Sequence, residues 1–244
     1  MNTTHTPGRC LVIGAGGGIG RSLCARLAAG GWDLLLAGRT REPLLAVQSE
    51  TGGTVIELDG TEADRTDAAF RDAGDLTAAV CLAGSILLKP AHSTTPADFD
   101  QTIGQNLLTA FNVVRAAGKS MRSSGGSVVL MSSCAASVGL ANHEAISAAK
   151  SGIEGLVRSA AATYASNGIR FNAVAPGLVE TPMAAKITAS EPALKASLAM
   201  HPLGRIGQPE DIARAIEFVL SPDASWLTGQ VIGVDGGLAR VRPR

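Results

Sequence analysis

The chain has 244 residues, 45% of them hydrophobic and 17% charged, with 29 glycines. That length and apolar content suit one α/β domain with a sizeable core and call for no second one. The 21 basic and 21 acidic residues cancel and form no block of one sign, so nucleic acid and anionic membrane are excluded as expected partners. At the N-terminus, MNTTHTPGRC has no charged region followed by an apolar run, and no signal peptide is expected. CLVIG at 10–14 reads as a buried strand, and IGRSLCARLAAGG as a helix that ends in glycines. DLLLAG at 33–38 is the second strand, followed by a helix from about Glu42. TVIEL, AAVCLAG, SVVLMSS, IRFNAVAP and VIGVDGG supply further strands, with helices at 96–122, roughly 144–167 and 209–220. This alternation predicts an α/β fold, a parallel sheet of about seven strands with helices on both faces. Strands buried on both sides are continuous apolar runs, as these are.

The longest apolar stretch, LTAAVCLAGSILL, is interrupted by small polar residues and too short to span a bilayer. Segment 181–205 is one long insertion punctuated by Pro182, Pro192 and Pro202. It suits one or two short helices and lies where lids over ligand sites tend to sit. Cys10, Cys24, Cys81 and Cys134 form no CxxC or zinc spacing, so they read as buried thiols of a cytoplasmic protein and no metal site is expected.

GAGGGIG at 14–20 joins the first strand to the first helix. Its spacing is GxxxGxG through Gly14, Gly18 and Gly20, with Ile19 where a GxGxxG pattern needs its last glycine. Small residues there let the backbone approach a pyrophosphate at a helix N-terminus, where free N–H groups and the helix dipole favour anions. The second strand ends without the carboxylate that accepts from a ribose diol. Gly38 stands there, followed by Arg39 and then Arg41, which favours the 2′-phosphate of NADP over NAD. The competing view is an Arg39 that is merely solvated.

Further along, ANHEAISAAK at 141–150 places His143, Ile146 and Lys150 at i, i+3 and i+7 of a helix, on one stripe. With these residues the sequence resembles the short-chain dehydrogenase/reductase family along essentially its whole length. CLAGS at 81–85 is similar to the family's NNAG segment, with Cys81 and Leu82 in place of its asparagines and Ala83 and Gly84 retained. MSSC places Ser133 thirteen residues before Ile146, and the family's YxxxK reads ISAAK, so Ile146 stands at the tyrosine position. The resemblance implies a Rossmann-like, doubly wound single domain over 1–244. It also implies a homo-oligomer, a tetramer or dimer, in which the 144–167 helix pairs across one interface.

For the site, the resemblance implies that Asp59 contacts adenine, that Pro176, Gly177 and Thr181 grip the nicotinamide side, and that Lys150 clamps the ribose. Ser133 would polarise a small-molecule substrate and Asn106 would hold a water. The lone tyrosine, Tyr164, lies fourteen residues past Lys150, about 21 Å along a continuous helix, and cannot substitute. Losing a general acid typically lowers the rate ~10²–10⁴-fold. Three routes answer that loss: proton transfer by His143, delivery by Lys150 or by a water held by Asn106 and Ser133, or a substrate that needs no strong acid. For His143 the alternative is a solvent-facing ring beside an Asn142 cap. The expectation is NADP-dependent hydride transfer to or from a small carbonyl, imine or conjugated substrate. A dehydratase, isomerase or cyclase on the same scaffold, or an inactive NADP-binding protein, stays open.

Overall fold

The apolar strand β1 (Arg9–Ile13) pairs in parallel with β2 (Asp33–Gly38) on one side and β4 (Leu76–Cys81) on the other. With β3 (Thr54–Glu57), β5 (Gly126–Met131), β6 (Ile169–Pro176) and β7 (Val231–Val234), they form one seven-stranded sheet. Its order is β3-β2-β1-β4-β5-β6-β7, and every pair is parallel. The structure, a computed structural model, describes residues 8–242. The signal-peptide expectation falls largely on residues 1–7, outside the described residues.

The helices are α1 (Gly18–Ala29), α2 (Arg41–Thr51), α3 (Ala63–Asp72), α4 (Pro96–Ile103), α5 (Thr109–Ser120), α6 (Glu144–Tyr164), α7 (Ala185–Thr188), α8 (Glu191–Met200) and α9 (Pro209–Leu220). One face of the sheet packs Val12, Leu36 and Val129 against Leu23, Leu44 and Ile216 of α1, α2 and α9. The other packs Leu11, Leu130 and Phe171 against Phe70, Val113 and Val157 of α3, α5 and α6. Each such fully buried side chain contributes about 1.5–3 kcal/mol of transfer free energy, so the sheet is a rigid platform for the loops at its carboxyl edge. This is the doubly wound arrangement, and the strand order reverses direction between β1 and β4.

Two elements differ from the sequence reading. The single helix expected over 96–122 is α4, a π-helical turn over Gly104–Leu108, and then α5. Helical periodicity survives a one-turn widening, so apolar spacing cannot reveal it; such turns often mark functional positions, and Asn106 sits in this one. The 144–167 helix ends at Tyr164 and tightens into a 3₁₀ turn over Ala165–Asn167, closed by Gly168. Helix α3 shows no clear apolar stripe in sequence, since only Thr66, Ala69 and Phe70 are buried in a strongly charged segment. Insertion 181–205 does carry two short helices, α7 and α8, as its pattern predicts. Among the described residues no helix is long and apolar enough to cross a membrane.

Candidate active site

At the carboxyl edge of the sheet, the β1–α1 loop and the β4 loop border a continuous groove at the point where strand order reverses, the usual ligand position in open α/β sheets. Gly14 has φ +91°, a conformation that side chains disfavour. A Cβ on Gly20 would lie 2.2 Å from the Gly14 carbonyl oxygen and 2.7 Å from that of Ala15. A Cβ on Gly18 would press on Thr181 at 3.0 Å. Helix α1 starts with no side-chain cap and no acidic residue in its first turn. Among the described residues the N–H groups of Gly18, Ile19 and Gly20 have no backbone acceptor. That cradle fits a phosphate group in charge, donor geometry and space.

The tightness of the loop has a direct consequence. Gly20→Ala is expected to destabilise the fold by about 1–3 kcal/mol, because backbone and not a flexible side chain must move. Thermal denaturation checks this, and an unchanged melting temperature would show a looser loop than the distances indicate.

One end of the groove is a cavity of about 180 Å³ lined by Gly14, Arg39, Asp59, Ala83 and Gly84. Asp59 Oδ1 accepts from the Thr61 N–H at 3.0 Å and from its hydroxyl at 2.8 Å. The Thr61 N–H chiefly, with its hydroxyl, Arg39 and Arg65 nearby, holds the Asp59 carboxyl below the ordinary carboxylate range against an opposing desolvation effect. Arg41 pairs with Glu57 at 3.1 Å. Arg39 is exposed and, among the described residues, has neither a hydrogen bond nor an ion pair, so its guanidinium is available to an anion.

At the other end a cavity of about 380 Å³ gathers Gly18, Ile19, Gly20, Asn106, Ser133, Ile146, Lys150, Pro176, Gly177 and Thr181. Lys150 is 7% exposed and donates from Nζ to the Met131 carbonyl at 2.8 Å. Burial pushes its pKa down from 10.5 to about 8, with Cys81 opposing slightly. Ser132 and Ser133 separate cleanly. The Ser132 hydroxyl donates to Glu154 Oε1 at 2.9 Å, whereas Ser133 Oγ accepts from the Ala135 N–H at 3.2 Å and has only the weak sulfur acceptor of Cys134 beside it. Burial raises the Cys134 thiol to about 11, which fits a filler and not a nucleophile.

His143 is placed elsewhere than the stripe argument put it. It occupies the N-cap position of α6, its Nδ1 lies 2.7 Å from the Ala141 carbonyl, and it is not among the residues lining the 380 Å³ cavity. Asn142 does not cap the helix; it adopts φ 63° one residue earlier. Tyr164 packs on Phe171 at the far end of α6, with ring centroids 5.6 Å apart.

Three contributors were missed in the sequence. Ser85 and Met183 line the larger cavity, and buried His201 accepts the Leu178 N–H at Nε2, holding the turn after β6. Position gave a signal for Ser85, which directly follows CLAG. For Met183 and His201 only the fold brings segment 181–205 onto the strand ends.

The fold and the glycine loop at its switch point define an α/β protein of the Rossmann-like class, and comparison narrows it. A family model described as enoyl-(acyl carrier protein) reductase matches residues 14–239. Galactitol 2-dehydrogenase (L-tagatose-forming) of Cereibacter sphaeroides is 35% identical over 240 residues, 94% of this chain and 94% of that protein. A 3-oxoacyl-(acyl-carrier-protein) reductase of Thermotoga maritima is 33% identical over 94% of this chain and 96% of its own length. The solved structure of a short-chain type dehydrogenase/reductase from Mycobacterium ulcerans has TM-score 0.90 and 33% identity, covering 96% of this chain and 90% of that one. The chain belongs to the short-chain dehydrogenase/reductase family, and the three relatives just described carry oxidoreductase names.

Proposed function

We propose that the protein is an NADP-dependent oxidoreductase that moves a hydride between the nicotinamide and a small carbonyl, imine or conjugated substrate, without a tyrosine as proton donor. The observation that carries this reading is the single cavity in which the glycine loop, Ser133, Ile146 and Lys150 meet. NADPH, when bound, supplies the hydride. The free N–H groups at the start of α1 hold its diphosphate, Asp59 and Ala83 border the adenosine, and Arg39 takes the 2′-phosphate. Pro176, Gly177 and Thr181 border the nicotinamide side, and Lys150 holds the ribose. Ser133 donates to the substrate oxygen, which favours the charge that develops there.

Ile146 stands where the family carries its tyrosine, and no phenol reaches the cleft. Lys150, or a water bound to it, supplies the proton; the Asn106 side chain is fully engaged by Thr102 and Ser85 and holds none. His143, tied to the Ala141 carbonyl at the mouth of α6, is left the minor route. The walls contributed by Ile86, Met131, Val179 and Met183 are apolar, which suits a substrate with a greasy body and one polar reacting centre. Segment 181–205 acts as the lid over it. Leu108 and Phe111, both exposed beside α6, support pairing of this face with a second copy in a dimer or tetramer. Four buried free thiols support a cytoplasmic location.

Direct titration with NADPH and NADH, followed by a screen of carbonyls and imines for NADPH oxidation, tests the reading. Failure to bind either nucleotide would overturn it. Binding without oxidation of NADPH would leave a sensor or a non-redox enzyme. Arg39→Ala is expected to weaken NADPH about tenfold and leave NADH unchanged. A hydrogen bond to a charged group contributes about 1.5–3 kcal/mol, and solvent exposure of Arg39 holds the effect at the low end. Equal weakening of both nucleotides would remove Arg39 as the phosphate ligand.

A further inference from the structure

Asn106 has two amide protons and one carbonyl oxygen, and the fold uses all of them. Nδ2 donates to the Thr102 carbonyl at 2.9 Å and to Ser85 Oγ at 3.1 Å, while Oδ1 accepts the Ser85 N–H at 3.3 Å. Asn106 is 1% exposed, so water does not compete for these bonds. A Cβ built on Gly84 would lie 2.6 Å from Asn106 Oδ1 and 3.5 Å from Lys150 Nζ. The backbone just before Ser85 therefore lies close against those two side chains, and the Asn106 bonds hold Ser85 in place.

The consequence falls on the Ser85 hydroxyl, which carries a single proton. Its oxygen already accepts from Asn106, so that proton points elsewhere, and among the described residues it has no acceptor. Ser85 lines the same cavity as Ser133, Ile146 and Lys150. The oxygen of Ser133 is likewise engaged, by the Ala135 N–H, and its hydroxyl otherwise faces the Cys134 sulfur, a weak acceptor that a substrate oxygen can replace. Donation from Asn106 into Ser85 Oγ also strengthens the outgoing O–H as a donor.

We propose that Ser85 is a second hydrogen-bond donor to the reacting oxygen of the substrate, forming with Ser133 a two-hydroxyl clamp beside Ile146. This rests on the redox reading above. As the hydride reaches the carbonyl carbon, the C=O π pair moves onto oxygen, and both hydroxyls strengthen their bonds to it. The proton that completes the alcohol comes from Lys150 or its water, so Ser85 keeps its own and leaves the cycle unchanged. Two donors supply the charge stabilisation that a phenol would have given.

The test reads the carbonyl directly. Infrared difference spectra of ¹³C=O-labelled cyclohexanone bound to the NADP⁺-loaded protein report hydrogen bonding to that oxygen without turnover. The wild-type band is expected below its position in water, S85A and S133A are each expected to recover part of the shift, and S85T to stay near wild type. In turnover, S85A is expected to lose about 10²-fold in kcat with NADPH affinity unchanged. S85C, a weak donor of similar size, gives the same comparison if S85A does not fold. A wild-type band without a shift, or an S85A band identical to wild type, overturns the clamp. A role limited to propping Asn106 predicts that identical band. NADPH binding with an unmoved band removes this inference alone, whereas absence of NADPH binding removes the redox reading and the inference with it.

Discussion

Ile146→Tyr is expected to raise NADPH-driven reduction of a simple ketone such as cyclohexanone by about 10²–10⁴-fold, the range a positioned general acid contributes. Ile146 is 5% exposed, lines the cavity, and precedes Lys150 by four residues on α6. A phenol there enters the cleft from the same helix face as the ammonium, and a nearby cation favours the ionised phenol, bringing its proton within range of transfer. The larger ring has room to enter, because the adjoining space is about 380 Å³. Following absorbance of NADPH with excess ketone checks the gain. No gain, with nucleotide affinity intact, would mean that proton supply is not what limits carbonyl reduction. The pocket would then serve a substrate that needs no strong acid, or no redox step at all.

The fold was legible because seven apolar runs, each too short for a helix and separated by amphipathic segments, leave few packings other than a parallel sheet. CLVIG and DLLLAG fall within a residue of β1 and β2, and the glycine spacing located the loop because backbone approach distances forbid side chains there. The π turn at Asn106 was not legible, since its cause is a local hydrogen-bond shift that leaves apolar periodicity intact. His143 misled for a related reason: a stripe argument assumes that the helix has begun, and here the turn ends at Asn142 with φ 63°. Position after CLAG placed Ser85 near the site, but its donor role shows only through Asn106, 21 residues away in sequence, which consumes its acceptor and leaves its donor free. Donor and acceptor accounting needs three-dimensional neighbours. Residue type alone could not distinguish Ser132 from Ser133 either; Glu154 does that.

Lys150→Met is expected to lower kcat by about 10²–10⁴-fold and to flatten its pH profile. Buried Lys150 has lost the hydration of its ammonium, and the Met131 carbonyl at 2.8 Å returns only part of it; its pKa is accordingly lowered to about 8. An ammonium that delivers the proton is competent only while protonated. The wild-type rate should therefore be level below pH 8 and fall about tenfold per pH unit above it. Stability runs the other way. The folded value lies below the unfolded one, so between about 8 and 10.5 the unfolded chain holds more protons, and stability of the nucleotide-free protein rises with pH across that window. Below pH 8 the full penalty of burying the charge is present, about 3 kcal/mol by the usual conversion. Urea denaturation of wild type and Lys150→Met at pH 7 and pH 10 isolates this contribution, because other titrating groups are common to both. The variant should lose the pH 7 deficit specific to Lys150. Parallel stability curves for the two proteins, together with a rate that does not fall above pH 8, would show that the lysine stays charged and hydrated, and proton delivery would pass to water or to the substrate itself.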